Sequence, residues 1–254
     1  MKEGWLQRLR DELALAWTIA VKDIKVYYLT PPMIMFGLMM PFFMFFSFSI
    51  KREMGAEVGI ARLLALTTFF TASSAGPVII PLERRMGTYD RLLAAPMSLV
   101  TLLLGKALVG TFFALAVSIV PLSVGLLGLG VDVADAGLLL AGLALGSLAF
   151  STFGLAFASI PTQSVGSIMM PSTLIRWPLL FISGIFIPLE EMATWTRGLA
   201  HLSPLTYAQD LMNHAVPGAG LLNPWLDLAV LLVSGILFLV PSTLMHRRSR
   251  QLGY

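Results

Sequence analysis

Apolar residues in this chain run in long blocks with charge, Arg176 excepted, kept toward the block ends. A helix needs about 20 such residues to cross a hydrocarbon layer ~30 Å thick. Six blocks qualify: Pro31–Ile50, Ile60–Leu82, Leu99–Leu129, Ala136–Ile160, Val165–Ile187 and Leu226–Met245. The first is free of charge, and the second carries Arg62 near one end with Thr67, Thr71 and Ser74 on one helical face. Lys106 lies near the start of the third, and the fourth places Gly142 and Gly146 at the spacing that favours close helix packing. The fifth holds Arg176 between Pro171 and Pro178, and the sixth has Asp227 at its start.

Ahead of these blocks, residues 4–28 have a different period. Trp5, Leu9, Leu13, Trp17, Ala20 and Ile24 recur at helical spacing, while Gln7, Arg8, Asp11, Lys22 and Lys25 take other positions. An amphipathic helix lying on the membrane surface is expected, with Trp5, Trp17, Tyr27 and Tyr28 in the headgroup layer and Pro31 and Pro32 setting the bend into the first span. Charges interrupt this stretch too often for a cleavable leader, so it is expected to be retained. The whole predicts an all-α membrane protein of one domain, residues 1–254.

Composition agrees, since 57% hydrophobic and 12% charged residues with a mean hydropathy of +0.83 exceed what a soluble globule of this size can bury. A net charge of +3 would suggest nucleic acid in a soluble protein, but the basic residues flank apolar runs and so report topology instead. With six spans both termini share a side. That side collects Lys2, Arg8, Arg10, Lys22, Lys25, Arg84, Arg85, Arg91, Arg247, Arg248 and Arg250, against Lys51, Arg52 and Arg197 opposite. Both termini and the loop after the second span are therefore expected to be cytoplasmic. The absence of cysteine excludes disulfides and thiolate chemistry.

That loop, Glu83 to Pro96, reads as a short capped helix. Gly87 can break the preceding helix, Thr88 can cap the next, Asp90 falls in its first turn, and Pro96 stops it. Tyr89, Leu92 and Leu93 among charges predict a knob that docks into another protein. The segment resembles the Glu-Arg-Glu-x-Gly-Thr-x-Glu-x-Leu-x-x-(Ser/Thr)-Pro stretch of ABC-2 type transporter permeases, especially the daunorubicin-resistance-like exporters. The resemblance implies a coupling helix that inserts into a groove of a nucleotide-binding ATPase through Glu83, Arg84, Gly87, Thr88, Asp90, Leu92 and Pro96, with Arg85, Tyr89 and Arg91 in the same segment. Arg85 stands where the family has an acid, Asp90 replaces Glu, and Ala95 replaces the hydroxyl residue before the proline.

A second stretch, Ser183 to Glu191 followed by Leu202 to Tyr207, is similar to the same family's C-terminal signature. Pro188 fits the first turn of a short helix with Glu190 and Glu191 at its positive end, and Ser203 and Pro204 can start another. Neither is long enough to cross. The resemblance implies that residues 188–214 are external re-entrant helices, with Gly184, Pro188, Glu190, Ser203, Pro204 and Tyr207 as their motif.

No Gly-x-x-x-x-Gly-Lys-(Ser/Thr) loop occurs, Gly105-Lys106-Ala107 lacking both the preceding glycine and the following hydroxyl. The resemblance therefore implies that ATP and Mg belong to a separate ATPase chain, and that two permease copies, identical or paralogous, form one path in a prokaryotic plasma membrane. His201, His214 and His246 show no metal-ligand spacing, and neither a catalytic nor a metal site is expected. Arg176 is a costly charge within a span and a candidate for the translocation path, with Thr67, Thr71 and Ser74 as further candidates that helix packing would equally explain. Lys106 and Asp227 are expected at the membrane interface. Few fixed charges along the spans suit a hydrophobic or amphipathic cargo such as a drug, a lipid or a lipid-linked glycan. The alternative is an ion-gradient transporter coupled through Arg176 and Asp227, against which stands the lack of an inverted repeat or paired intramembrane acids.

Overall fold

The computed structural model describes residues 2–28, 31–49, 55–216 and 220–251, without the side chains of 2–6, 8–9, 31–36, 48–49 and 249–251. Among them there are helices and turns and no strand. The helices are α1 (Lys2–Asp23), α2 (Pro31–Ser49), α3 (Ala56–Arg85), α4 (Thr88–Ala94), α5 (Leu99–Ser123), α6 (Ala136–Ala158), α7 (Val165–Ile182), α8 (Thr194–Ala200), α9 (Pro204–Ala215) and α10 (Pro224–Gln251). The chain is an all-α membrane protein, and α3, α5, α6, α7 and α10 are each long and apolar enough to span a bilayer. The described apolar part of α2 is Gly37–Ser47, so the first expected span lies partly outside the described residues, as do Lys51 and Arg52.

Thirty residues make α3 about 45 Å long, and it is the hub of the bundle, buried over most of its length. A side chain at Gly154 of α6 would collide with the Ser73 carbonyl oxygen of α3, so the two helices touch backbone to backbone where no larger residue fits. Gly142 and Gly146 pack closely as their spacing predicts, against Leu211 and Ala208 of α9.

Several boundaries differ from the expectation. The helix α3 starts four residues earlier than Ile60, and α7 stops at Ile182 rather than Ile187. There the chain turns at Gly184, whose φ of 92° suits only glycine. Helix α5 runs on through a wider helical turn, Val124–Gly128, close to the expected end. Ser203 and Pro204 do begin a helix, with Pro204 in its first turn, although the Ser203 hydroxyl makes no cap bond. Most of α9 is buried, against α3, α6 and α10.

The stripe expected on α1 divides by size. Ala16, Ile19 and Ala20 face inward, where Gly105 of α5 admits the α1 backbone, while Leu13 and Trp17 are exposed. Tyr28, expected in the headgroup layer, is instead buried against Phe113 of α5. The side chains of Trp5, Arg8 and Leu9 lie outside the described residues.

Candidate functional site

The expected short helix forms, and its sequence signals act locally. Gly87 adopts φ 68° and separates α3 from α4, Asp90 sits in the first turn of α4, and the helix ends at Ala94, two residues before Pro96. Thr88 does not cap α4: Gly87 holds that position, and the Thr88 hydroxyl turns back to donate to the Glu83 carbonyl oxygen at 3.2 Å, closing the end of α3.

Which residues face outward differs from the expectation. Tyr89, Leu92 and Leu93 pack onto Ile19, Ile80, Leu102, Leu103 and Leu155 of the chain's own bundle. Glu83, Arg84 and Tyr89 are buried, so the outward surface consists of Arg85, Met86, Asp90, Arg91, Ala94 and Pro96, with Gly87 and Thr88 half-exposed. An amphipathic turn on a membrane protein must bury its apolar side somewhere, and here the bundle end is nearer than any partner.

Beneath the knob lies a charge cluster that the sequence does not announce. The Lys106 Nζ is 2.6 Å from Asp23 Oδ2 and 2.5 Å from Glu83 Oε2, and the Lys22 Nζ is 2.7 Å from Asp23 Oδ1 and 2.8 Å from Glu83 Oε1. Both carboxylates are fully buried and the Lys106 side chain is 2% exposed. Lys106 is thus interior rather than interfacial. Two acids and two bases cancel, which makes the burial tolerable, and α1, α3 and α5 are joined at one point. Burial pulls the Lys22 pKa down, but hydrogen bonds and attraction from Asp23 and Glu83 outweigh it, so the net shift is upward.

Two more links leave the same junction. The Arg84 Nη1 donates to the Ile160 carbonyl oxygen beyond α6 at 2.5 Å, and its guanidinium lies 5.2 Å from the centroid of the Tyr89 ring. The Tyr89 hydroxyl shares a 3.2 Å hydrogen bond with Nδ1 of His246 on α10, and burial pushes its pKa up to about 12. His246 is therefore a buried partner of the junction. The α3–α4 junction is fastened to α1, α5, α6 and α10 at once.

Higher in the bundle, Arg176 is buried and reaches α3, donating to the Ser74 hydroxyl at 3.1 Å and to the Ser73 carbonyl oxygen. Thr71 donates to the Gly37 carbonyl oxygen of α2 at 3.3 Å, and Thr67 is fully buried. No carboxylate among the described residues forms an ion pair with Arg176. The pair expected of an ion-gradient transporter does not form: Asp227 is buried beside Asp210 and His214 at the opposite end of the bundle from α4.

At that end Gln209 donates to the Gly184 carbonyl oxygen at 3.2 Å, Tyr207 to that of His201 at 2.8 Å, and Arg197 to those of Leu189 and Glu190 at 2.8 and 2.9 Å. Pro188 precedes a single helical turn, Leu189–Glu191. Residues 183–209 are therefore tied together by side chains that bond their own backbone.

Residues 14–216 match the ABC-2 type transporter family. Over 154 residues, 60% of this chain and 41% of the relative, the sequence is 25% identical to the Probable multidrug ABC transporter permease YbhR of Escherichia coli. It is 28% identical over 107 residues to Nodulation protein J of Rhizobium leguminosarum bv. viciae, covering 42% of this chain and 41% of that one. With Nodulation protein J of Neorhizobium galegae the identity is 29% over 110 residues, 43% of this chain and 42% of the relative. The matched regions thus span less than half the length of these relatives.

Proposed function

The chain belongs to the ABC-2 type transporter family, and from that premise we propose that it is the membrane-spanning permease of an ATP-driven exporter whose ATPase is a separate chain. The observation that carries the reading is the α3–α4 junction. A short helix with a charged outer face stands at a bundle end, and its inner face is locked to the transmembrane helices. Such a part suits force transfer. An ATPase closing on ATP would press on Arg85, Asp90 and Arg91, and the charge cluster and the Tyr89–His246 bond would carry the displacement into α1, α3, α5 and α10.

In this reading α4 and both termini are cytoplasmic, while α8 and α9 lie at the outer leaflet as re-entrant helices that close the exit. ATP and Mg are held by the partner, and no covalent chemistry falls to this chain. A second copy completes the path, covering part of the apolar surface that α7 exposes through Met170 and Leu174. Arg176 is shielded by α3 in this state and reaches the path only when α7 moves away. A hydrophobic or amphipathic cargo fits the scarcity of fixed charge, and the multidrug name of the Escherichia coli relative points the same way.

The test is co-purification with a candidate ATPase, comparing the wild type with a variant whose residues 87–96 are replaced by a flexible Gly/Ser linker. Retention by the wild type and loss by the inserted, folded variant supports the reading. Failure of the wild type to bind any ATPase, or equal retention by the variant, overturns it.

A further inference from the structure

We propose that Asp210, His214 and Asp227 form a binding site for a divalent cation of the zinc type, at the end of the bundle opposite α4. Asp210 and His214 stand one turn apart on α9, and Asp227 lies in the first turn of α10. Each offers one ligand atom, and the three atoms lie within 4.8 Å of one another, close enough to converge on one ion.

Asp227 itself points to a missing ligand. It is fully buried, and among the described residues neither of its carboxylate oxygens has a hydrogen-bond partner. An uncompensated buried carboxylate is costly, and a second one beside it raises the cost. Asp210 is that neighbour, 3% exposed. A cation bound between them removes both the repulsion and the unmet bonding of Asp227.

The surroundings hold the ligands in place. Asp210 accepts from the backbone N–H groups of Leu221 at 2.8 Å and Leu222 at 2.9 Å, one on each oxygen, which fixes the carboxylate while leaving lone pairs for a metal. The His214 Nε2 lies 3.4 Å from Asp210 Oδ2 and 2.8 Å from the Leu222 carbonyl oxygen. Ligation takes this nitrogen away from the carbonyl and leaves the proton on Nδ1. A cavity of about 170 Å³ lined by Arg62, Glu190, Gln209, Asp210 and Asn213 opens beside Asp210. Two carboxylates and one imidazole suit zinc or manganese, whereas calcium takes six to eight oxygens. The ion joins α9 to α10, and the site does not depend on the export reading.

The test uses the full chain, purified through a histidine-free tag, stripped with EDTA and titrated with zinc chloride. Bound metal is counted by mass spectrometry and stability read from the melting temperature. One zinc per chain and a raised melting temperature are expected for the wild type. Asp227→Asn keeps the shape but is expected to bind at least tenfold more weakly and to lose the thermal rise. His201→Ala, an exposed histidine outside the site, is expected to bind as the wild type does. The proposal is overturned if wild type and Asp227→Asn bind zinc alike, or if His201→Ala alone loses it. It is equally overturned if the wild type binds no zinc, whatever the melting temperature of Asp227→Asn.

Discussion

Replacing Lys106 by methionine preserves the length of the side chain and deletes its charge. The ammonium lies 2.6 Å from Asp23 and 2.5 Å from Glu83, and its loss leaves two fully buried carboxylates facing the single ammonium of Lys22. Removing one partner of a buried ion pair costs about 3–5 kcal/mol. Lys22 still bonds the outer oxygen of each carboxylate, so the lower end of that range, about 3 kcal/mol, is expected. In a chain of this length each kcal/mol moves the melting temperature by about 2–4 °C, hence a fall of roughly 6–12 °C. Thermal unfolding in detergent, followed through the intrinsic fluorescence of the five tryptophans, measures it. The double variant Lys106→Met/Glu83→Gln restores one acid to one base, and is expected to recover part of the loss even though it carries one change more. Lys22→Ala removes the other ammonium from the same two carboxylates, but at a side chain 38% exposed, where water can enter in its place, so it is expected to lower the melting temperature less than Lys106→Met does. A Lys106→Met protein melting within about 3 °C of wild type, or a double variant less stable than the single one, refutes the reasoning.

Gly87→Ala places a side chain at φ 68° in open space, so the cost is backbone strain alone, about 1–2 kcal/mol; melting measures it, and an unchanged melting temperature would mean that the junction is not held left-handed. Arg176→Met removes a buried cation that has no carboxylate partner among the described residues, and shape-matched apolar replacements of buried charges are often neutral. Its stability is therefore expected to stay within about 1 kcal/mol of wild type, so a loss of transport in reconstituted vesicles would mark Arg176 as part of the path, and intact transport would make it a packing residue. Tyr89 ionises in the folded chain only at about 12, against 10.0 when free. The stability this residue supplies is therefore complete below pH 10 and lost as pH rises toward 12. Tyr89→Phe, lacking the bond to His246, is expected to start about 1 kcal/mol less stable but to fall less steeply across that window, which urea unfolding at fixed pH values checks.

The spans were legible because lipid leaves a one-dimensional signal: the length of an apolar run is its own statement about thickness. The junction was legible for a related reason, since Gly87, Asp90 and Pro96 act within one or two turns of themselves. Ends set by tertiary packing were not. The early start of α3 at Ala56 and the early stop of α7 at Ile182 depend on where α9 and the turn at Gly184 seat. Gly142 and Gly146 have the spacing of a close helix crossing, which the structure forms, but spacing names no partner, and α9 supplies it. The apolar residues of α4 misled for the same reason: Tyr89 and Leu92 had to be covered, and sequence could not say that the cover was the chain's own bundle rather than an ATPase.

The charges show where reading residues singly fails. Lys106 looked interfacial because it lies near one end of an apolar run, and Glu83 looked available because it begins a loop. Their partners are 83 and 23 positions from Lys106, on two other helices. One constraint in the sequence did point to them. A lysine inside an apolar block must be met by acids at its own depth, and in a bundle of alternating helices the depth of a residue follows from its distance to the block edge. Lys106 is seven residues into α5 and Glu83 two from the end of α3, on helices joined by the α4 turn, so both fall near the same bundle end. Asp23 closes α1 beside them. Matching charges by depth rather than by sequence neighbourhood would have found the cluster, and it would also have placed Asp227, three residues into α10, level with Asp210 near the loop that joins α9 to α10.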